Sequence, residues 1–250
     1  MFDLHTHTFF SDGANSPEEM IDAALEKGLT CIGFSDHSHV DWDECGMTEE
    51  NTEAYRREIA RLKRSRGAEI EIRCGLERDY YSDDDREYDD VIGSVHWMLM
   101  PDGHPLAVDW TAEKLGKGVE RYFGGDWYAM AEAYFALEAD VARKTGCDII
   151  GHFDLVAKFN EDNRFFDAAH PRYVAAWKGA ADALLKTGLP FEINTGAISR
   201  GYRTDAYPAR PIREYLRAHG ARMILSSDAH RKENIAFGFE EYCQEAGAGV

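Results

Sequence analysis

Six of the ten histidines, together with three carboxylates, stand directly after short apolar runs of the chain. His5 and His7 follow Phe2-Asp3-Leu4, Asp36 and His37 follow the run 29–35, and Glu77 follows 70–76. His96 comes after 91–95, His152 after 147–151, and Asp228 with His230 after 222–226. Imidazole nitrogens and carboxylate oxygens are the donor set that zinc, manganese and iron accept. His5-Thr6-His7 has the alternation that turns two side chains to the same side of an extended segment. A lone histidine at a strand end is normally packed or hydrogen-bonded without a metal. Ligand-type residues at six of seven strand ends form a pattern that packing alone explains poorly. The other four, His39, His104, His170 and His219, lie away from strand ends and are expected at the surface.

These residues meet only if the fold gathers the strand ends. Short apolar runs alternate with amphipathic stretches, as in a parallel α/β protein. The first helix is well punctuated: Ser16 to cap it, Pro17 in its first turn, Glu19 to complete a capping box, Gly28 to end it. Further helices are expected over 48–66, 127–145, 171–187 and 208–219. A seventh strand-type run, 190–194, completes the set. Such a series fits a barrel with its helices outside, and a doubly wound open sheet is the competing topology. In a parallel barrel all the C-terminal strand ends open on one face, where active sites are assembled. Residues 97–125, 159–166 and 195–213 read as loops, the first long enough for a lid. The acidic run 83–90 reads as a solvated loop and helix edge without calcium-loop spacing.

A chain of 250 residues, 44% of them hydrophobic, can bury one large core, so residues 1–250 are taken as a single domain. The net charge of −18 argues against binding along a nucleic-acid polymer, which needs a basic surface. A small phosphorylated substrate stays open, because a local cation cluster outweighs a distant acidic surface. The N-terminus has no basic region followed by an apolar core, and no stretch is apolar for a bilayer's width. A cytoplasmic protein without a membrane partner is expected. Five widely spaced cysteines form no CxxC pair, which points to reduced thiols.

Asp3-Leu4-His5-Thr6-His7-Thr8, with Ser11-Asp12-Gly13 after it, resembles the first motif of the PHP (polymerase and histidinol phosphatase) family. The resemblance continues in order through Ser35-Asp36-His37, Gly75-Leu76-Glu77, Gly93-Ser94-Val95-His96, Ile150-Gly151-His152 and Ser227-Asp228-Ala229-His230. Gly151-His152-Phe153-Asp154-Leu155 with Lys158-Phe159, and Glu192-Ile193-Asn194-Thr195, resemble the histidinol-phosphatase branch. The resemblance implies a distorted (β/α)7 TIM-like barrel and two or three divalent metal ions, zinc, manganese or iron. His5, His7, Glu77 and Asp228 would take one ion, and His96 and His152 would share Glu77 around a second. Asp12, His37 and His230 would hold the third. Some relatives carry a histidine one residue after Asp12, where this chain has Gly13, and Asp12 before a glycine also suits a plain turn.

The implied activity is a phosphomonoesterase, with L-histidinol phosphate as first substrate and histidine biosynthesis as setting. By that implication, two metals about 4 Å apart, held by these ligands, would lower the pKa of a bridging water and supply hydroxide in line with phosphorus. Glu77, Asp228 and His230 are the expected catalytic residues, Glu77 by setting the metal separation. Asp228 or a metal-bound water is the source of the leaving group's proton. Arg200, Arg203 and Lys158 are candidate phosphate contacts, since late barrel loops bind phosphate and guanidinium matches its oxygens. Asp3, Asp36 and Asp154 are placed to orient imidazoles, and Trp97, Tyr80 and Tyr81 to line the pocket. Alternatives are a nucleotide or phosphotyrosine-protein phosphatase and a non-catalytic metal-binding module.

Overall fold

The computed structural model describes residues 1–246. The strands are β1 (Phe2–Asp3), β2 (Cys31–Phe34), β3 (Glu71–Cys74), β4 (Leu76–Asp79), β5 (Val91–Ser94), β6 (Trp97–Leu99), β7 (Pro105–Ala107), β8 (Ile149–Ile150), β9 (Phe191–Asn194) and β10 (Met223–Ser226). The helices are α1 (Pro17–Glu26), α2 (Glu49–Arg66), α3 (Ala112–Phe123), α4 (Trp127–Glu138), α5 (Val141–Thr145), α6 (Pro171–Leu185), α7 (Gly196–Ser199), α8 (Arg210–Ala218) and α9 (Phe239–Ala246). Two parallel sheets, ordered β1-β2-β3 and β10-β9-β8-β5-β4, make up the centre. Parallel bridges join them at both seams, His37 to Glu77 on one side and Thr6 to Ala229 on the other. These seams decide the topology as a distorted (β/α)7 barrel and dispose of the open sheet. β3 and β4 share one barrel position, interrupted at Gly75.

The interruption has a local cause. Gly75 donates its N–H to the Phe34 carbonyl at 2.7 Å, and a Cβ there would lie 2.8 Å from that oxygen. The chain therefore swaps partners, with β3 on β2 and β4 on β5. The buried Tyr55 hydroxyl of α2 lies 2.8 Å from both the Phe34 and Gly75 carbonyls, so the polar groups at the break keep a partner. Outside the barrel, Met20 and Ile21 of α1 and Ile59 and Leu62 of α2 are buried in one apolar cluster with Phe34. A larger cluster gathers α4 and α6, where Phe135 meets Tyr173 edge to face. Each such side chain contributes about 1.5–3 kcal/mol by leaving water. The capping box of α1 forms as expected, and Thr48 caps α2.

Four expectations change. Residues 97–125 are not a loop: β6 and β7 form an antiparallel hairpin and α3 follows. The glycines there serve packing as well as turning, since a Cβ on Gly118 would lie 2.3 Å from Leu106 Cδ1. The helix expected over 127–145 breaks between α4 and α5, where Asp140 takes hydrogen bonds from Arg143 and from the Tyr80 hydroxyl. The acidic run carries no helix and is tied down. Asp84 accepts from Tyr88 and Arg86, Asp89 pairs with Lys63, and Asp90 pairs with Arg73. Residues 195–213 include the short helix α7. Among the described residues no helix is long and apolar enough to cross a membrane.

Candidate metal centre

All nine expected ligands converge at the C-terminal ends of the barrel strands, around Glu77. Its Oε1 is 2.8 Å from His152 Nε2 and 3.3 Å from His96 Nε2. Its Oε2 is 2.8 Å from His37 Nδ1, 3.3 Å from His5 Nε2 and 3.6 Å from His7 Nε2. The carboxylate thus faces two groups of imidazoles, one with each oxygen. Asp228 Oδ1 stands 3.3 Å from His7 Nε2 and 3.8 Å from His5 Nε2. Asp12 Oδ1 stands 3.3 Å from His230 Nε2 and 3.7 Å from His37 Nε2.

Buried polar atoms are normally paired, and here several are not. His5 Nε2, both ring nitrogens of His7, and Glu77 Oε2 have no hydrogen-bond partner. Three sets have ligand atoms close enough to grip one ion: His7, Asp12, His37 and His230; His5, His7 and Asp228; His37, Glu77 and His96. Orphaned donors from different strands aimed at one space fit divalent metal binding.

Different residues from those expected hold the imidazoles. Asp36 pins the loop after β1, accepting from Thr8 N at 2.9 Å and from the Ser11 hydroxyl at 2.7 Å. Asp3 accepts from Ser227 N and Ala236 N, fastening β1 to β10. Asp154 faces Arg203 and the Ala209 N–H. None of the three has an imidazole partner: Asp3 and Asp36 take backbone N–H groups and hydroxyls, and Asp154 Oδ2 takes Arg203 and the Ala209 N–H. The orienting carboxylates are Glu192, which takes His5 Nδ1 at 2.7 Å and the His152 N–H at 3.1 Å, and Asp79, which lies 3.3 Å from His96 Nδ1. Their signal in the sequence was a charge inside an apolar strand, and for Asp79 the two-residue step from Glu77. Glu192→Gln is expected to weaken metal affinity by roughly 10–100-fold. Chelator competition checks this, and unchanged affinity would remove Glu192 from the support of the site.

Backbone shape matters at three positions. A Cβ on Gly13 would lie 2.5 Å from the His7 carbonyl, so this loop cannot seat a histidine there, and Asp12 reaches the cluster instead. Gly13→Ala should therefore disturb Asp12 and lower metal stoichiometry while leaving a folded barrel, read by elemental analysis beside circular dichroism. Asp228 adopts a left-handed φ of 49°, uncommon outside glycine and tolerated by aspartate. A Cβ on Gly196 would sit 2.7 Å from Asp228 Oδ2, so the glycine makes room for that carboxylate.

The charges explain one another. Burial alone would raise the Glu77 pKa, but His37, His5 and His96 hold it well below the ordinary carboxylate range. Burial would lower His5, yet Glu192, Glu77 and Asp228 carry it well above its usual value. His37 goes up to about 9, with Glu77 and Asp12 overcoming burial. His7 is pushed down to about 3 by burial and by His230 and His37. Burial also opposes ionisation of Asp228, but Arg200 and His5 keep it anionic.

The centre opens into a cavity of about 250 Å³. Arg200 and Lys158 line it, and Arg203 does not. Arg200 donates to the Asp228 carbonyl at 2.8 Å and to its Oδ2 at 3.0 Å. Lys158 donates to the Asp109 carbonyl at 2.8 Å and to its carboxylate at 3.2 Å. Arg203 is turned away, 3.6 Å from Asp154 and over the Tyr207 ring. Trp97 lines the cavity. Tyr80 and Tyr81 do not, their hydroxyls being engaged by Asp140 and the Leu99 N–H. Of the four histidines set aside, His104 and His219 are exposed, His39 contacts the Met47 carbonyl, and His170 caps α6.

A Deinococcus radiodurans protein named "Probable histidinol-phosphatase" is 29% identical, over 97% of this chain and 91% of the relative. A Listeria monocytogenes structure assigned as a histidinol phosphatase superposes with a TM-score of 0.84 at 19% identity, over 97% of this chain and all of the other. The histidinol phosphate phosphatase of Lactococcus lactis, crystallised with zinc, L-histidinol and phosphate, gives 0.71 at 21% identity, over 98% and 92%. The two structures share the barrel. The family model described as "PHP domain" matches residues 3–196, which hold seven of the nine converging ligands, and the chain belongs to the PHP family.

Proposed function

We propose that this protein is a metal-dependent phosphoric monoester hydrolase that converts L-histidinol phosphate to L-histidinol and phosphate in histidine biosynthesis. The observation that carries the reading is the set of buried, unpartnered ligand atoms gathered around Glu77. Near full-length similarity to a protein named as a histidinol-phosphatase supports the substrate. His5, His7, Glu77 and Asp228 would hold one metal, Glu77, His96 and His152 a second, and Asp12, His37 and His230 a third. Zinc, manganese and iron all suit such donors. Bound there, the ions supply Lewis acidity, lowering the pKa of water and offsetting charge on the phosphoryl oxygens.

The chain's own residues have distinct tasks. Glu77 sets the spacing of the two imidazole groups, and Ser94 holds its Oε1 with a 2.7 Å hydrogen bond. Glu192 and Asp79 fix ring directions at His5 and His96. Arg200 keeps Asp228 ionised, which suits it to ligation rather than to proton donation. His230 Nε2, facing Asp12, completes the outer edge. The cytoplasm is the proposed compartment, in keeping with five unpaired cysteines. Phosphate release from L-histidinol phosphate, beside nucleoside monophosphates and phosphotyrosine, tests the reading on metal-loaded and chelated protein. Selective, metal-dependent turnover of the first is expected. Selective turnover of another ester would replace the substrate, and silence on all three with metal bound would overturn the enzyme reading.

A further inference from the structure

The metal ligands make up only part of the cavity lining, and much of the remainder is acidic and aromatic. Asp43 and Asp109 line it, together with Lys158, Trp97, Trp110 and Tyr202. They come from separate loops, Asp43 after β2 and Asp109 after β7, yet they face one space. Asp43 Oδ1 accepts from the Cys45 N–H at 2.9 Å, and Oδ2 from Trp97 Nε1 at 3.3 Å. Both donors are neutral, so the Asp43 charge is fixed in place without a counter-ion among the described residues. Asp109 is paired with Lys158, whose ammonium is 3.2 Å from Oδ2 and is shared with the Asp109 carbonyl, and it lies within electrostatic reach of the ligands His96 and His152. Two carboxylates and one ammonium leave this part of the lining with a net negative charge, beside a centre that metals would make positive.

A partly desolvated carboxylate without a counter-ion favours a ligand that brings one. Trp97 and Trp110, with ring centroids 6.0 Å apart, and Tyr202 add aromatic surface suited to a flat ring, with Lys114 already over Trp110 and Lys158 over Tyr202. We infer that Asp43 and Asp109 are specificity-determining residues, which select phosphate monoesters whose alcohol carries a protonated amine or an imidazole. The inference rests on the phosphatase reading above and adds which residues receive the alcohol. Lys158 then acts as the internal counter-charge of Asp109, not as a phosphate contact. An ester with a carboxylate beside the two aspartates is disfavoured, and a neutral ester gains nothing from them.

The test compares kcat/KM for two cationic esters, L-histidinol phosphate and phosphoethanolamine, with that for neutral p-nitrophenyl phosphate. Wild type, Asp43→Asn, Asp109→Asn and Lys158→Met are assayed as metal-loaded protein, with metal content measured for each. The Asp43 and Asp109 variants are expected to lower the cationic-to-neutral ratio by roughly 10–100-fold, mainly through KM. Lys158→Met has the opposite sign and raises the ratio, because Asp109 loses its internal partner. If Asp109→Asn does not fold, Asp43→Asn decides, since both its partners are neutral. Equal losses on all esters in the two aspartate variants, with Lys158→Met impairing all of them, would overturn the inference and return Lys158 to the phosphate. Turnover of L-histidinol phosphate with an unchanged ratio also overturns it, leaving the phosphatase reading intact. Inactivity on L-histidinol phosphate, with phosphoethanolamine preferred and that preference lost in the variants, supports the inference and sinks the proposed substrate.

Discussion

Glu77→Gln is expected to lower phosphate release by roughly a thousandfold or more, a barrier increase of about 4 kcal/mol, and to reduce bound metal. The substitution keeps the shape of the side chain and removes its charge. Glu77 is buried among imidazoles: Oε1 faces His96 and His152, and Oε2 faces His5, His7 and His37. A neutral amide would turn an N–H₂ toward one of these groups, where an acceptor is needed. The comparison with Ser94→Ala separates charge from geometry, because Ser94 only steadies Oε1. That variant should lose far less. Elemental analysis and steady-state phosphate release on both proteins decide the matter. Wild-type metal content and turnover in Glu77→Gln would remove it from the centre of the site.

Chelation is expected to abolish activity reversibly, and re-loading should become harder as pH falls. The sign follows from the imidazoles. In metal-free protein His5, His37 and His96 have raised pKa values, His37 up to about 9, so all three hold protons near neutrality. His7, at about 3, is already neutral. Metal requires the neutral ring, so uptake below about pH 9 expels protons, and each one costs roughly tenfold in affinity per pH unit. Chelator competition between pH 6 and 9, with proton release followed by an indicator dye, measures both effects. Affinity independent of pH across that range would mean that these rings are neutral before metal arrives.

How far the sequence speaks for itself differs from residue to residue. Eight of the nine ligands were legible because each stands next to a short apolar run, and a parallel barrel delivers every such position to one face, whereas Asp12 was indicated only by the family resemblance. The barrel could be expected from the alternation of runs and capped helices, while its closure could not. Closure rests on two bridges, His37 to Glu77 and Thr6 to Ala229, between residues far apart in the chain. The hairpin β6–β7 and helix α3 were hidden by glycines, which mark flexible turns and also tight contacts such as Gly118 on Leu106. The orienting carboxylates were hidden for a related reason. Asp3, Asp36 and Asp154 are near the ligands in sequence yet bond to backbone N–H groups, hydroxyls and Arg203, while Glu192 reaches His5 across 187 positions. Residue types and their spacing along the chain thus determined the chemistry available, since donor atoms and strand periodicity are local properties. Which carboxylate orients which ring, and which arginine turns toward the cavity, was decided by tertiary structure alone. Those pairings depend on distances of about 3 Å between segments that only the closed barrel brings together.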